Sequence, residues 1–126
     1  MKKILIFIFS CCLLGNFSCF AAGQKPKTLK VYKVENGKKI LDKSASYDAN
    51  GNKTEEINYK AGEKKESVTY SYNASGKCVE EKHFDASGKL EKTVKIEYNE
   101  NGKKKSEKSY LFNGKLKNEH VYEYSY

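Results

Sequence analysis

One element recurs along this chain and limits what it can fold into: an aromatic residue, Asp or Asn, two residues, then Gly. Copies stand at Tyr47-Asp48-Ala49-Asn50-Gly51, Tyr72-Asn73-Ala74-Ser75-Gly76 and Tyr98-Asn99-Glu100-Asn101-Gly102, with Tyr124 in phase, a spacing of 25 to 26 residues. A second series falls between them: Tyr59 before Gly62, Phe84-Asp85-Ala86-Ser87-Gly88, and Tyr110 before Asn113-Gly114. Glu35-Asn36-Gly37 fits as an earlier member. Each repeat therefore holds two aromatics and two turns, the signature of a repetitive architecture. The turn chemistry is explicit: Asx oxygens bond the backbone two residues on, and Gly accepts a positive φ. Asn36-Gly37 and Asn113-Gly114 read as two-residue hairpin turns. Asp85 to Gly88 reads as a type I turn closed by a left-handed Gly.

Between the turns the hydrophobic period is two. Val68, Tyr70 and Tyr72 alternate with Thr69 and Ser71; Val94, Ile96 and Tyr98 alternate with Lys95 and Glu97; Tyr122, Tyr124 and Tyr126 alternate with Glu123 and Ser125. Such alternation makes strands with one apolar face and excludes strands buried on both sides. The fold expected is all-β: an antiparallel meander of about eight strands, at 28–35, 38–47, 53–60, 64–73, 77–84, 89–99, 103–112 and 115–125. Beyond the leader the chain has only 14 Ile, Leu and Val and two Phe, and its ten Tyr make up the shortfall. Tyr buries a ring while keeping its hydroxyl wet, so a single-layer or partly rolled sheet is expected.

The first 23 residues read as a secretory signal peptide: basic Lys2 and Lys3, an apolar run from Ile4 to Leu14, and small residues at Ala21, Ala22 and Gly23. A membrane helix needs roughly 20 apolar residues, and Ser10, Gly15, Asn16 and Ser18 interrupt this run. Residues 24–126 then form one domain in the periplasm or outside the cell. The alternative is a lipoprotein anchored at Cys19. Cleavage removes Cys11, Cys12 and Cys19 and leaves Cys78 alone, without an internal disulfide partner. It also lowers the formal charge from +8 to +6 by removing Lys2 and Lys3. Every basic residue but His is Lys, interleaved with Glu, which suits a solvated surface rather than nucleic acid.

Little in the chain points to catalysis. Cys78 and His83 would face opposite sides of an unbroken strand, and His83 is expected on the polar face, opposite Phe84. His83, His120 and Cys78 lack metal-ligand spacing, and the Asx-Gly turns lack the alternating acids of a calcium loop. No metal and no cofactor is expected, and the chain is not expected to be an enzyme. Lysines after turns (Lys38-Lys39, Lys64-Lys65, Lys103 to Lys105) read as guards against strand-to-strand aggregation. The binding candidate is an aromatic stripe: Tyr59, Tyr70, Tyr72, Tyr98, Tyr110, Tyr122 and Tyr124 on one shared face. Its partner would be a protein or an envelope glycan; self-association through the same face is the alternative, with a small hydrolase behind both.

Tyr70-Ser71-Tyr72-Asn73-Ala74-Ser75-Gly76-Lys77 and Ser46-Tyr47-Asp48-Ala49-Asn50-Gly51-Asn52 resemble the YD repeat of bacterial Rhs and teneurin-type surface proteins. The chain also resembles a family of small uncharacterised secreted proteins of Gram-negative bacteria, a domain of unknown function. The first resemblance implies β-hairpin repeats. It does not imply a toxin-encapsulating shell, because the repeats are too few and the Arg usual after Gly is missing.

Overall fold

The computed structural model describes residues 25–126; the expected leader and Cys19 lie outside the described residues. Eight strands follow in order: β1 (Thr28–Glu35), β2 (Lys38–Tyr47), β3 (Lys53–Lys60), β4 (Glu63–Tyr72), β5 (Cys78–Asp85), β6 (Leu90–Tyr98), β7 (Lys104–Leu111) and β8 (Leu116–Val121). They pair antiparallel in sequence order into one sheet that does not close into a barrel. The expected meander is thus present. The first three strands match their expected bounds, and the next four shift by a residue or so. β8 stops at Val121, although Tyr122 N still donates to the Lys105 carbonyl at 3.1 Å.

Two kinds of turn join the strands. β1–β2 and β3–β4 use two-residue turns with both residues at positive φ: Asn36 (50°) with Gly37 (76°), and Ala61 (51°) with Gly62 (79°). Asn tolerates that conformation; Ala61 adopts it at a cost of about 1–2 kcal/mol. The other five turns span four residues and close on Gly. In the β5–β6 turn, Gly88 N donates to the Asp85 carbonyl at 3.1 Å, and Asp85 N donates to the Lys89 carbonyl at 2.9 Å. Asp85 Oδ1 accepts from the N–H groups of Ser87 (2.9 Å) and Lys89 (3.0 Å) and from Ser87 Oγ (2.6 Å). Those bonds, the Ser87 hydroxyl first, hold the Asp85 carboxyl below its ordinary value. Asp48, Asn73 and Asn99 cap their turns through the same backbone N–H positions. The expected two-residue turn at Asn113-Gly114 is instead one of the longer ones. Gly114 N donates to the Leu111 carbonyl, so the turn starts two residues earlier than the Asn-Gly pair suggests.

Every one of the seven strand pairs carries a bulge, each in the second strand of the pair. The extra residue sits where an aromatic or its Tyr32 counterpart stands opposite: Tyr47 faces Lys53 past Thr54, Tyr72 faces Cys78 past Val79, and Tyr98 faces Lys104 past Lys105. A bulge increases local twist and reverses the inside–outside alternation for the rest of its strand. Residues paired directly across strands share a face, so the pairings assign the sides. One face, the front, carries Ala45, Val68, Val94 and Ile96, the buried apolar core, 5–6% exposed. The back carries Ile57, buried Ser67 and Ser106, and a more polar remainder.

Candidate functional site

The expected stripe divides between the two faces. Tyr70, Tyr72 and Tyr98 lie on the front with Val68, Val94 and Ile96; Tyr122 and Tyr124 continue that phase beyond β8. Tyr59 and Tyr110 lie on the back, with Phe84, near the opposite ends of their strands. One shared face for all seven is therefore wrong: the bulges shift the phase that simple alternation would carry through. The same shift corrects two further expectations. His83 pairs with Val68 and stands on the front rather than on a polar back, and Phe84 does not build the tyrosine face.

On the front the tyrosines form a row along one end of the sheet, and their hydroxyls reach across a hairpin to a carbonyl. Tyr72 Oη donates to Lys53 O at 2.6 Å, Tyr98 Oη to Cys78 O at 2.6 Å, and Tyr124 Oη to Lys104 O at 2.9 Å. Between successive rings, on the intervening strands, stand Lys53, Cys78 and Lys104. Equivalent rings are two strands apart, about 9–10 Å. Lysine ammonium groups lie against rings: Lys53 is 5.3 Å from the Tyr70 ring centre, Lys77 5.4 Å from that of Tyr98, and Lys104 5.9 Å from that of Tyr122. These are cation–π distances. Burial raises the phenols of Tyr70, Tyr72 and Tyr98 above their ordinary value.

A carboxylate accompanies each intervening residue. Lys53 Nζ meets Glu56 Oε2 at 2.6 Å, and Lys104 Nζ meets Glu107 Oε2 at 2.9 Å. Lys43 adds a second contact to Glu56 at 3.2 Å. Burial alone would raise the Glu56 carboxyl, but the hydrogen bonds from Lys53 and Lys43 outweigh it and hold it below its ordinary value. The middle repeat departs from this pattern. Cys78 stands where the flanking repeats have Lys, and Glu81 takes His83 Nε2 at 3.3 Å instead.

The bulge at Val79 places Cys78, Glu81 and His83 together on the front, contrary to the opposed faces expected of Cys78 and His83. The thiol lies 3.6 Å from the Glu80 carbonyl, and burial, then the Glu81 charge, pushes it above its ordinary value. A reactive thiol needs the reverse shift. Among the described residues no group of three or more His, Cys, Asp or Glu is placed to hold a metal. Tyr59 lines a depression of about 240 Å³ with Ile40, Leu41, Lys60 and Ala61, at the end of the sheet away from the tyrosine row. The lysines read as guards fall within β2, β4 and β7 or beside the turns that precede them, so they blunt strand ends and cover rings rather than sheet edges. The ladder of Lys, Glu and Tyr on one face was open to sequence reading at the 25- to 26-residue spacing of Lys53, Cys78 and Lys104.

No family model and no curated protein matches the chain. Two solved structures of DUF3836 family proteins, of unknown function, are similar in shape. One, from Bacteroides vulgatus ATCC 8482, is 10% identical, with 72% of this chain and 89% of that one covered, at a TM-score of 0.35. The other, from Parabacteroides distasonis ATCC 8503, is 19% identical over 65% of this chain and 69% of its own, at a TM-score of 0.32.

Proposed function

We propose that this chain is a non-catalytic secreted or cell-envelope protein that binds an extended envelope glycan, or a protein segment of similar shape, across the front of its sheet. The observation that carries the reading is the front row: tyrosine rings repeated about every 9–10 Å across the strands, with lysines between them. Rings offer flat apolar surface, ammonium groups offer donors, and the regular interval suits a polymer with a repeating unit. The formal charge of +6 beyond the leader favours an anionic one. Tyr72, Tyr98 and Tyr124 have their hydroxyls committed to carbonyls, so they present ring faces and edges; Tyr70 and Tyr122 flank them.

The test is capture of envelope glycans by wild type and by Tyr70→Ser/Tyr122→Ser, with Tyr59→Ser/Tyr110→Ser as the back-face control. Loss of capture in the front variant alone supports the reading. Equal capture by all three overturns it. Circular dichroism checks that each variant keeps its sheet.

A further inference from the structure

Among the described residues, the large apolar side chains that stay exposed are confined to β1 and to residues from Phe112 onward. Leu29, Val31, Tyr32 and Val34 are 40–56% exposed along β1; Val121 is 66% exposed at the end of β8. The six strands between have a neighbour on each side, and their apolar residues are covered. Among the described residues each edge strand thus lacks what a neighbouring strand provides, and the fold's own repeat specifies that neighbour.

The three even-to-odd pairings share one register. Ser46 faces Glu55, Ser71 faces Glu80, and Glu97 faces Ser106. Carried one repeat further, the rule sets Glu123 after β8 opposite Lys30 on a β1 strand. Tyr122 then meets Val31 on the front, and Val121 meets Tyr32 on the back. Opposite charges pair, and exposed apolar residues pair, on both faces.

The backbone agrees. The Lys27 carbonyl accepts from Tyr47 N, and Tyr122 N donates to the Lys105 carbonyl, so both residues point into their own sheet. In antiparallel strands successive residues aim alternately to the two sides. Thr28 and Lys30 therefore turn their N–H and C=O groups outward from β1, and Val121 and Glu123 do so from the C-terminal edge. Lys30 and Glu123, the pair set opposite by the repeat, are both outward-facing. An eight-strand meander also leaves β8 antiparallel to β1, the orientation that continues it.

We propose that the C-terminal edge of one copy pairs with β1 of a second copy, head to tail, extending the meander between molecules. The interface is heterologous and does not close, so it builds chains of copies rather than a fixed dimer. It uses the sheet's edges and leaves the front row at Tyr70, Tyr72 and Tyr98 free; Tyr122 alone belongs to both surfaces, so Tyr70→Ser by itself separates this proposal from the glycan reading.

Light scattering and sedimentation velocity of the purified protein, with and without residues 1–23, over a wide concentration range, provide the test. Wild type should gain mass steadily with concentration in both forms. Lys30→Pro removes an outward N–H on an edge strand, where Pro is tolerated, and Glu123→Pro does the same at the other edge. Each variant alone should stay monomeric. Mixed, each has one intact edge, and they should form a heterodimer that stops at two copies. In a separate pair, Lys30→Glu and Glu123→Lys should each weaken assembly, and the double exchange should restore it. A wild type that stays monomeric throughout overturns the proposal. So does assembly that needs residues 1–23, or that survives both Pro substitutions while Tyr70→Ser abolishes it.

Discussion

The two faces of this sheet use aromatic rings differently, and the residue choices follow. On the front, positions 72, 98 and 124 are all Tyr, and each hydroxyl donates to a carbonyl across its hairpin. On the back, the row near the other end of the strands reads Tyr59, Phe84, Tyr110. Phe84 occupies a place equivalent to its two neighbours without a hydroxyl. The back therefore requires a ring to cover its bulge, with Lys95 lying 5.7 Å from the Tyr110 ring centre. The front pairs each ring with a donor, whose hydroxyl holds the first carbonyl of the partner strand. The front also holds the four buried apolar residues, so the scarce aliphatic content is concentrated beside the latched tyrosines.

The largest expected difference tests that concentration. Ile96→Ala, on the front, should cost about 2–4 kcal/mol, the usual range for truncating a buried Ile. Ile57→Ala, half-buried on the back, should cost about 1 kcal/mol less than that or lower. Urea denaturation of both variants measures it; equal losses would mean that the two faces share the stabilising burial. Next in size is the hydroxyl itself. Tyr98→Phe should cost about 1 kcal/mol, the net worth of one intramolecular hydrogen bond, whereas Tyr110→Phe should lie within about 0.5 kcal/mol of wild type. A Tyr110→Phe variant as unstable as Tyr98→Phe would break the contrast.

Much of this was legible in the chain. Asp48, Asn73, Asp85 and Asn99 with their glycines fixed the longer turns, and the two-residue alternation fixed strand number and type. What alternation could not reveal was the bulge in every pair, since an extra residue such as Val79 looks like any other strand residue. The uncounted residue Val79 brings His83 and Cys78 to the same side, and those at Lys65 and Lys105 divide the tyrosine stripe. The turn at Leu111 was hidden for a related reason: Asn113-Gly114 is the right pair for a two-residue turn, but hydrogen bonding from Leu111 wins. The expected open sheet follows from the shortage of aliphatic residues, which cannot fill a second layer.

Acid should separate the faces by a smaller margin. Glu56, on the front, has its carboxyl held below the ordinary 4.5 by Lys53 and Lys43 against the pull of burial. A depressed carboxyl contributes stability that is present above its unfolded value and is lost as the pH falls through its folded value. The urea midpoint should therefore drop below about pH 4.5. Glu56→Gln should start lower at neutral pH and lose less on acidification. Parallel wild-type and Glu56→Gln curves would remove the front ladder as a source of acid sensitivity.

The smallest effect concerns the one irregular step in that ladder. Cys78 occupies the position of Lys53 and Lys104, and Glu81 that of Glu56 and Glu107. The flanking lysine side chains are 34% and 41% exposed, so an ammonium group at 78 would be screened by solvent. Cys78→Lys should restore the pair with Glu81 in place of the His83 contact. Partly exposed pairs are worth about 0.2–1 kcal/mol, so a gain of about 0.5 kcal/mol is expected from the urea midpoint. The Tyr98 latch should persist, because it uses the backbone carbonyl of residue 78 rather than its thiol. A loss of more than about 1 kcal/mol would mean that packing around the thiol outweighs the ion pair, and that the middle repeat is specialised for an apolar atom between the Tyr72 and Tyr98 rings.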